Sequence, residues 1–211
     1  MDQKDRNVLR KRDFGKKICK QADLENISLE ENYERVYSLN QMHWSQKIVG
    51  NATKIIVGTL TPPDGMANGY YYSSSPNKVF GIIDKCYKDN GTFVGLKKQL
   101  LANRKNKEII KQIEEKLLEH NIAFIDVVDQ AIRVKGSYLD EDIVLYSLDF
   151  KAFRNCNEHQ TFICTSQNAR KGLEEIINQD PSIKINRDNI VVCYQDRFHY
   201  KEEDWKNGLR R

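Results

Sequence analysis

The sequence predicts an α/β protein, a three-layer α/β/α sandwich around a mostly parallel four-stranded sheet. Two observations carry this. Short apolar runs recur at residues 55–58 (IIVG), 122–128 (IAFIDVV), 161–165 (TFICT) and 189–194 (NIVVCY), each suited to a strand buried on both faces. Helical patterning follows each run, which implies right-handed βαβ connections and helices on both faces of the sheet. At 211 residues the chain is long enough for one such domain with a full core.

In chain order, residues 1–20 hold Lys4, Arg6, Arg10, Lys11, Arg12, Lys16, Lys17 and Lys20 against Asp2, Asp5 and Asp13. This basic cluster reads either as a solvated arm or as an electrostatic contact to phosphates. Apolar residues at 24, 27, 29, 33, 36 and 39 predict an acidic helix from Leu24 to Leu39. His43 and Trp44 precede the first strand. That strand runs into a Pro/Gly-rich loop, Thr59 to Gly65, and then into Tyr70, Tyr71, Tyr72, Ser73, Ser74, Ser75, Pro76 and Asn77. Strand, irregular loop and helix is the arrangement that places ligands at the carboxyl ends of a parallel sheet. Flat rings, hydroxyls and a carboxamide are groups for stacking on and reading a planar heterocycle. The alternative is ordinary loop packing by the tyrosines and helix capping by Asn77.

The first crossover helix is expected over 80–87, with Ile82, Ile83 and Cys86 toward the sheet and Asn90-Gly91 stopping it. A lysine-rich helical region follows over 96–120, its apolar stripe at 96, 100, 101, 109, 110, 113, 117 and 118. After the second strand, Asp126 is either a buried hydrogen-bond anchor for loop backbone or part of a site. Ser166 is a good N-cap for a helix whose buried stripe is Ala169, Leu173, Ile176 and Ile177. A terminal helix around Trp205 closes the chain.

Composition bounds the function only loosely. Lys plus Arg number 34 against 30 Asp plus Glu, a net charge of +4, which permits a nucleic-acid partner without arguing for one. Cys19, Cys86, Cys156, Cys164 and Cys193 contain no C-x-x-C pair, so neither a disulfide framework nor a zinc site is indicated. No run approaches the length of a membrane span, and the charged N-terminus lacks an apolar signal core. A soluble, cytoplasmic, monomeric protein is expected.

Two stretches resemble a known family. GTLTPP followed by GYYYSSSPNKVFGII is similar to the first motif of the uracil-DNA glycosylase superfamily, nearest its mismatch-specific uracil/thymine and hypoxanthine branches. Those branches carry a G-T/S/I-x-P loop and then an aromatic segment ending in H-P-x-N-R-F-W. Pro76, Asn77 and Phe80 fall near the matching places, while Ser74 stands where the family has His and Val79-Phe80 where it has Phe-Trp. The second stretch, AFIDVVDQAIRVKGSYLDEDI, resembles G-L-W-D-V-V-x-S-C-x-R-x-G-S-L-D-x-D-I. Asp126, Val127, Val128, Arg133, Gly136, Ser137, Leu139, Asp140, Asp142 and Ile143 match, with Tyr138 inserted. After the last strand the family has a Ser/Pro-rich loop that enters the minor groove; here Gln195, Asp196, Arg197, Phe198, His199 and Tyr200 stand instead.

Charge and spacing give a basic N-terminal arm and helix over residues 1–42, and the resemblance implies a uracil-DNA-glycosylase-like α/β domain over 43–211. It implies a DNA partner and cleavage of the N-glycosidic bond of a deaminated base, uracil or hypoxanthine, with no metal and no organic cofactor. Asn77 is then the catalytic candidate, positioning water or reading the base edge. Gly58, Thr59, Tyr72 and Asp126 are the base-binding candidates, Tyr72 as a stacking platform, and Arg197 and His199 are the DNA-binding ones. Two rivals stay open: a non-catalytic nucleic-acid or nucleotide-binding protein that keeps the fold, and a nucleotide-processing enzyme of unrelated mechanism.

Overall fold

The computed structural model describes residues 17–18, 21–41, 49–137, 139–195 and 199–210. The strands are β1 (Lys17–Ile18), β2 (Tyr33–Tyr37), β3 (Lys54–Gly58), β4 (Ile122–Asp126), β5 (Val128–Val134), β6 (Ile143–Leu148), β7 (Thr161–Cys164) and β8 (Ile190–Val192). The helices are α1 (Gln21–Glu25), α2 (Pro63–Asn68), α3 (Val79–Tyr87), α4 (Thr92–Ala102), α5 (Lys107–Glu119), α6 (Phe150–Phe153), α7 (Gln167–Gln179) and α8 (Glu202–Arg210).

The predicted parallel sheet is present, with strand order β4-β3-β7-β8 and every pairing parallel. Residues along its strands alternate between two cores, as the pleat requires. Ile55, Val57, Ala123, Ile125, Phe162 and Cys164 join a core that includes Ala169, Leu173 and Ile176 of α7. Ile56, Ile122, Phe124 and Ile163 join the other, with Phe80, Phe93, Leu100, Ile113 and Trp205 from α3, α4, α5 and α8. This is the expected three-layer α/β/α arrangement. Trp205 is fully buried and its indole N–H donates to the Tyr194 carbonyl at 2.9 Å, which seats α8 beside the end of β8.

A second four-stranded sheet, ordered β1-β6-β5-β2, was not expected from the sequence. β4 runs through a single residue, Val127, into β5, which pairs antiparallel with both β2 and β6. Val128, Ala131, Ile143 and Leu148 of this sheet enter the α7-side core. Its other face is closed by Leu24 with Tyr33, Ile132 and Val144. Buried Asp129, Gln130 and Arg133 interrupt any apolar alternation in β5, which is why the run 129–143 does not read as strands.

Two local expectations are corrected. The helix predicted over 24–39 is instead a short α1, a turn and β2, because tertiary pairing of Tyr33–Tyr37 with Gln130–Val134 overrides the apolar spacing. The helical region 96–120 divides into α4 and α5, the second capped by Asn106, whose side chain accepts from Glu108 N and Ile109 N. The crossover helix α3 ends at Lys88, in the left-handed conformation at φ 59°. Asp84 then accepts from Phe93 N and Val94 N, both at 2.9 Å, and caps α4. Of the basic cluster only Lys17 lies among the described residues, and His43 and Trp44 lie outside them. Among the described residues no helix is long and apolar enough to cross a membrane.

Glu114 of α5 is 4% exposed, and its Oε2 has no hydrogen-bond partner among the described residues. Burial pushes its pKa up to about 7. A carboxyl raised in this way binds a proton in the fold that the unfolded chain has released, so stability is lost as pH rises from about 4 towards 7. Glu114→Gln removes that titration. Its melting temperature should exceed the wild type's at pH 8 and approach it at pH 4, as measured by circular dichroism.

Candidate functional site

β3 lies between β4 and β7, so the connections leaving the adjacent strands β3 and β7 diverge and leave a crevice at their carboxyl ends. A cavity of about 440 Å³ fills this crevice. It is lined by Gly58, Thr59, Leu60, Thr61 and Pro62 after β3, by Tyr72, Ser74, Pro76, Asn77 and Lys78 ahead of α3, and by Asp126 at the end of β4. Leu139 and Asp140, Thr165 and Ser166, and Gln195 complete the wall. The catalytic candidate Asn77 and the base-binding candidates Gly58, Thr59, Tyr72 and Asp126, drawn from three separate stretches, are thus brought together.

Asp126 stands in register with Gly58 across the β3–β4 ladder and is 2% exposed. Its Oδ2 accepts from the backbone N–H and the hydroxyl of Thr61, each at 2.7 Å. This is the loop anchor that one of the two sequence readings offered. Burial pushes the carboxyl up to about 7; the Thr61 hydrogen bonds pull against that, and Asp140 and Asp149 add to it. Its other oxygen comes so close to Gly58 that a Cβ there would lie 2.3 Å from Oδ1 and 2.9 Å from the Tyr72 hydroxyl. Glycine at 58 is therefore a condition for both side chains to reach the floor of the cavity.

Asn77 is half-buried. Its Oδ1 accepts from Val79 N at 2.9 Å, an Asx-type turn one residue ahead of the helix N-cap Lys78, and its own N–H donates to the Ser74 carbonyl at 3.1 Å. The carboxamide NH2 is what remains for a ligand. Lys97, on the buried face of α4, holds this loop from behind by donating to the carbonyls of Ser75 at 3.2 Å and Asn77 at 2.6 Å. Burial lowers its pKa. Tyr70, Tyr71 and Tyr72 are 6%, 4% and 8% exposed and pack around Phe124. Tyr72 alone of the three lines the cavity.

The β5–β6 turn supplies the far wall. Gly136 turns at φ 72°, the buried Arg133 donates to the Leu139 carbonyl at 3.4 Å, and Ser137 Oγ donates to Asp142 at 2.5 Å. These hold Asp140 where its Oδ2 accepts from the Thr59 hydroxyl at 2.6 Å, with Ser166 Oγ 3.3 Å from Thr59 Oγ1. Ser166 also caps α7 through Ala169 N. Gln195 brings the segment after β8 to the same edge. His199 is exposed, lies against the Tyr194 ring and is not part of the lining. Arg197 lies outside the described residues.

Comparison with known proteins adds one likeness. A solution NMR structure described as a "putative Uracil DNA glycosylase" from Methanosarcina acetivorans aligns with a TM-score of 0.49 and 16% identity, covering 76% of this chain and 91% of that one. No family model and no curated protein matches the sequence. The α/β fold stated above rests on the chain's own strand order and layers.

The residue that ties the site together was missed by sequence reasoning. Asn40, 1% exposed, donates to the Asp126 carbonyl at 2.6 Å and to Asp149 Oδ2 at 2.9 Å. Its Oδ1 accepts from Asp126 N at 2.9 Å and from the Tyr71 hydroxyl at 2.6 Å. No local signal marks this asparagine. Lys97 had one, since Phe93, Lys97 and Leu100 share a helical face. Asn40→Ala strands several buried polar groups and should cost about 3 kcal/mol or more in urea unfolding. Gly58→Ala should cost about 1–3 kcal/mol through the crowding at Asp126 and Tyr72, read by the same titration.

Proposed function

We propose that this protein hydrolyses the N-glycosidic bond of a deaminated base, uracil or hypoxanthine, in DNA. The observation that supports this best is the convergence of Gly58, Thr59, Tyr72, Asn77 and Asp126 on one cavity at the switch point of a parallel sheet. These are the positions that the glycosylase-like motifs nominate. The cavity's lining mixes rings, hydroxyls, a carboxamide and a carboxyl, the groups that hold a base taken out of the stack.

In such a reaction the C1′–N bond breaks with its electron pair leaving on the base. The sugar passes through an oxocarbenium-like state, water oxygen bonds to C1′, and the water's proton ends on the released base. Asn77 is assigned the water, through the carboxamide NH2 that the bond to Val79 N leaves uncommitted. Gly58, Thr59, Tyr72 and Asp126 are assigned the base. Arg197 and His199, after β8, are assigned the DNA backbone, where the family's Ser/Pro loop would stand, and the basic residues from Lys4 to Lys20 add a salt-sensitive contact.

A second reading keeps the base pocket without the chemistry. What favours it is that Asn77 Oδ1 is already spent on Val79 N, together with the altered segment after β8. Incubation with labelled oligonucleotides carrying uracil or hypoxanthine, single- and double-stranded, followed by alkali, separates the two. A glycosylase gives strand breaks, and Asn77→Ala slows them about 100-fold or more while oligonucleotide affinity stays near wild type. Losing the hydrogen bond to Val79 N costs Asn77→Ala about 1 kcal/mol, so the comparison is made below its melting temperature. Binding with no breaks on any of the four substrates selects the second reading.

A further inference from the structure

The floor of the cavity carries a polar group that the fold leaves unused. The Tyr72 ring is fixed edge-on against Phe124, with centroids 5.0 Å apart and planes at 70°. Its backbone is held in the left-handed region at φ 51°, which a non-glycine residue adopts only where its surroundings impose it. The residue is 8% exposed. Little of either ring face is therefore open to a ligand.

The hydroxyl is different. Its oxygen is buried and has no hydrogen-bond partner among the described residues. The Thr165 side chain lies near enough to pull the phenol's pKa down as a hydrogen-bonding group does, against the larger upward push of burial, but no hydrogen bond of ordinary length and angle joins the two oxygens, and the Thr165 hydroxyl donates to the Val57 carbonyl at 3.2 Å. Asp126 has given Oδ2 to Thr61, and its Oδ1 converges with the Tyr72 hydroxyl on the space where Gly58 lacks a Cβ. A donor and an acceptor thus stand side by side at the base of a cavity, and the donor lacks a partner. An unsatisfied buried hydroxyl disfavours the folded state. A bound group that completes it recovers that free energy.

Resting on the base-pocket reading above, we infer that Tyr72 is a specificity-determining residue that reads the bound base through its hydroxyl rather than through its ring face. The hydroxyl donates to a carbonyl oxygen or ring nitrogen, and Asp126 Oδ1 accepts from the neighbouring N–H. The ligand class is a planar heterocycle that carries an N–H beside an acceptor on one edge, as lactam bases do. A base without that pair leaves one of the two buried oxygens unpaired.

The test uses the full chain, wild type and Tyr72→Phe, with free uracil and free hypoxanthine as probes in ligand-observed NMR titrations. Melting temperatures are recorded without ligand. Tyr72→Phe keeps the ring packing on Phe124, so its unliganded melting temperature should equal or exceed the wild type's, while affinity for the base that wild type binds should fall about tenfold or more. Equal affinity in the two proteins overturns the hydroxyl's role and leaves the base pocket standing. A clear drop in the unliganded melting temperature shows the hydroxyl already bonded in the free protein and also overturns it. If wild type binds neither base, this inference falls together with the reading it rests on.

Discussion

One buried carboxamide, that of Asn40, joins the parts from which the cavity is assembled. It bonds both backbone groups of Asp126 at the end of β4, the Asp149 carboxylate beyond β6 and the Tyr71 hydroxyl in the loop ahead of α3. An amide can do this because it carries donors and an acceptor on one rigid plane. Asn40 itself sits just beyond β2, so the antiparallel sheet is tied through it to the carboxyl edge of the parallel one. With its donors and acceptor engaged in a dry interior, the junction fixes geometry more firmly than exposed contacts of the same kind could.

Around that junction the protein buries groups that are costly to bury. Asp126, Asp149 and Lys97 all have pKa values displaced by desolvation in the direction that disfavours their charged forms. Each also does a geometric task. Asp126 holds Thr61, Asp149 caps α6 through Ala152 N, and Lys97 holds the carbonyls of Ser75 and Asn77. Polar interior groups with perturbed ionisation thus gather at the switch point of the sheet, where α/β folds place their ligands.

The antiparallel sheet gives the site its asymmetry. On the β3 side the loop is short and Pro-rich, and it is pinned by Asp126. On the opposite side the β5–β6 turn, shaped by Gly136 and Arg133, carries Asp140 over to Thr59 and Ser166. Close packing of α7 completes this wall: a Cβ on Gly172 would lie 2.6 Å from Val127 Cγ2, so only glycine lets the helix approach the residue that joins β4 to β5.

The sequence by itself determined the four parallel strands, because each is an apolar run long enough to be buried on both faces, and it determined the Ser166 cap, which needs only its own next turn. It also marked the stretches that line the cavity, since Pro, Gly and clustered polar rings break regular structure locally. It offered the anchor role of Asp126, and it placed Asn77 at the entrance of α3, where its side chain bonds Val79 N one residue ahead of the N-cap. Tertiary structure alone decided the strand order that sets β3 in the middle, the strand state of Tyr33–Tyr37, the second sheet, and the burial of Asn40 and of all three tyrosines. The physical reason is one of range. Capping and periodicity act within a few residues, whereas Asn40 meets Asp126 and Asp149 only after 86 and 109 residues of intervening chain have folded.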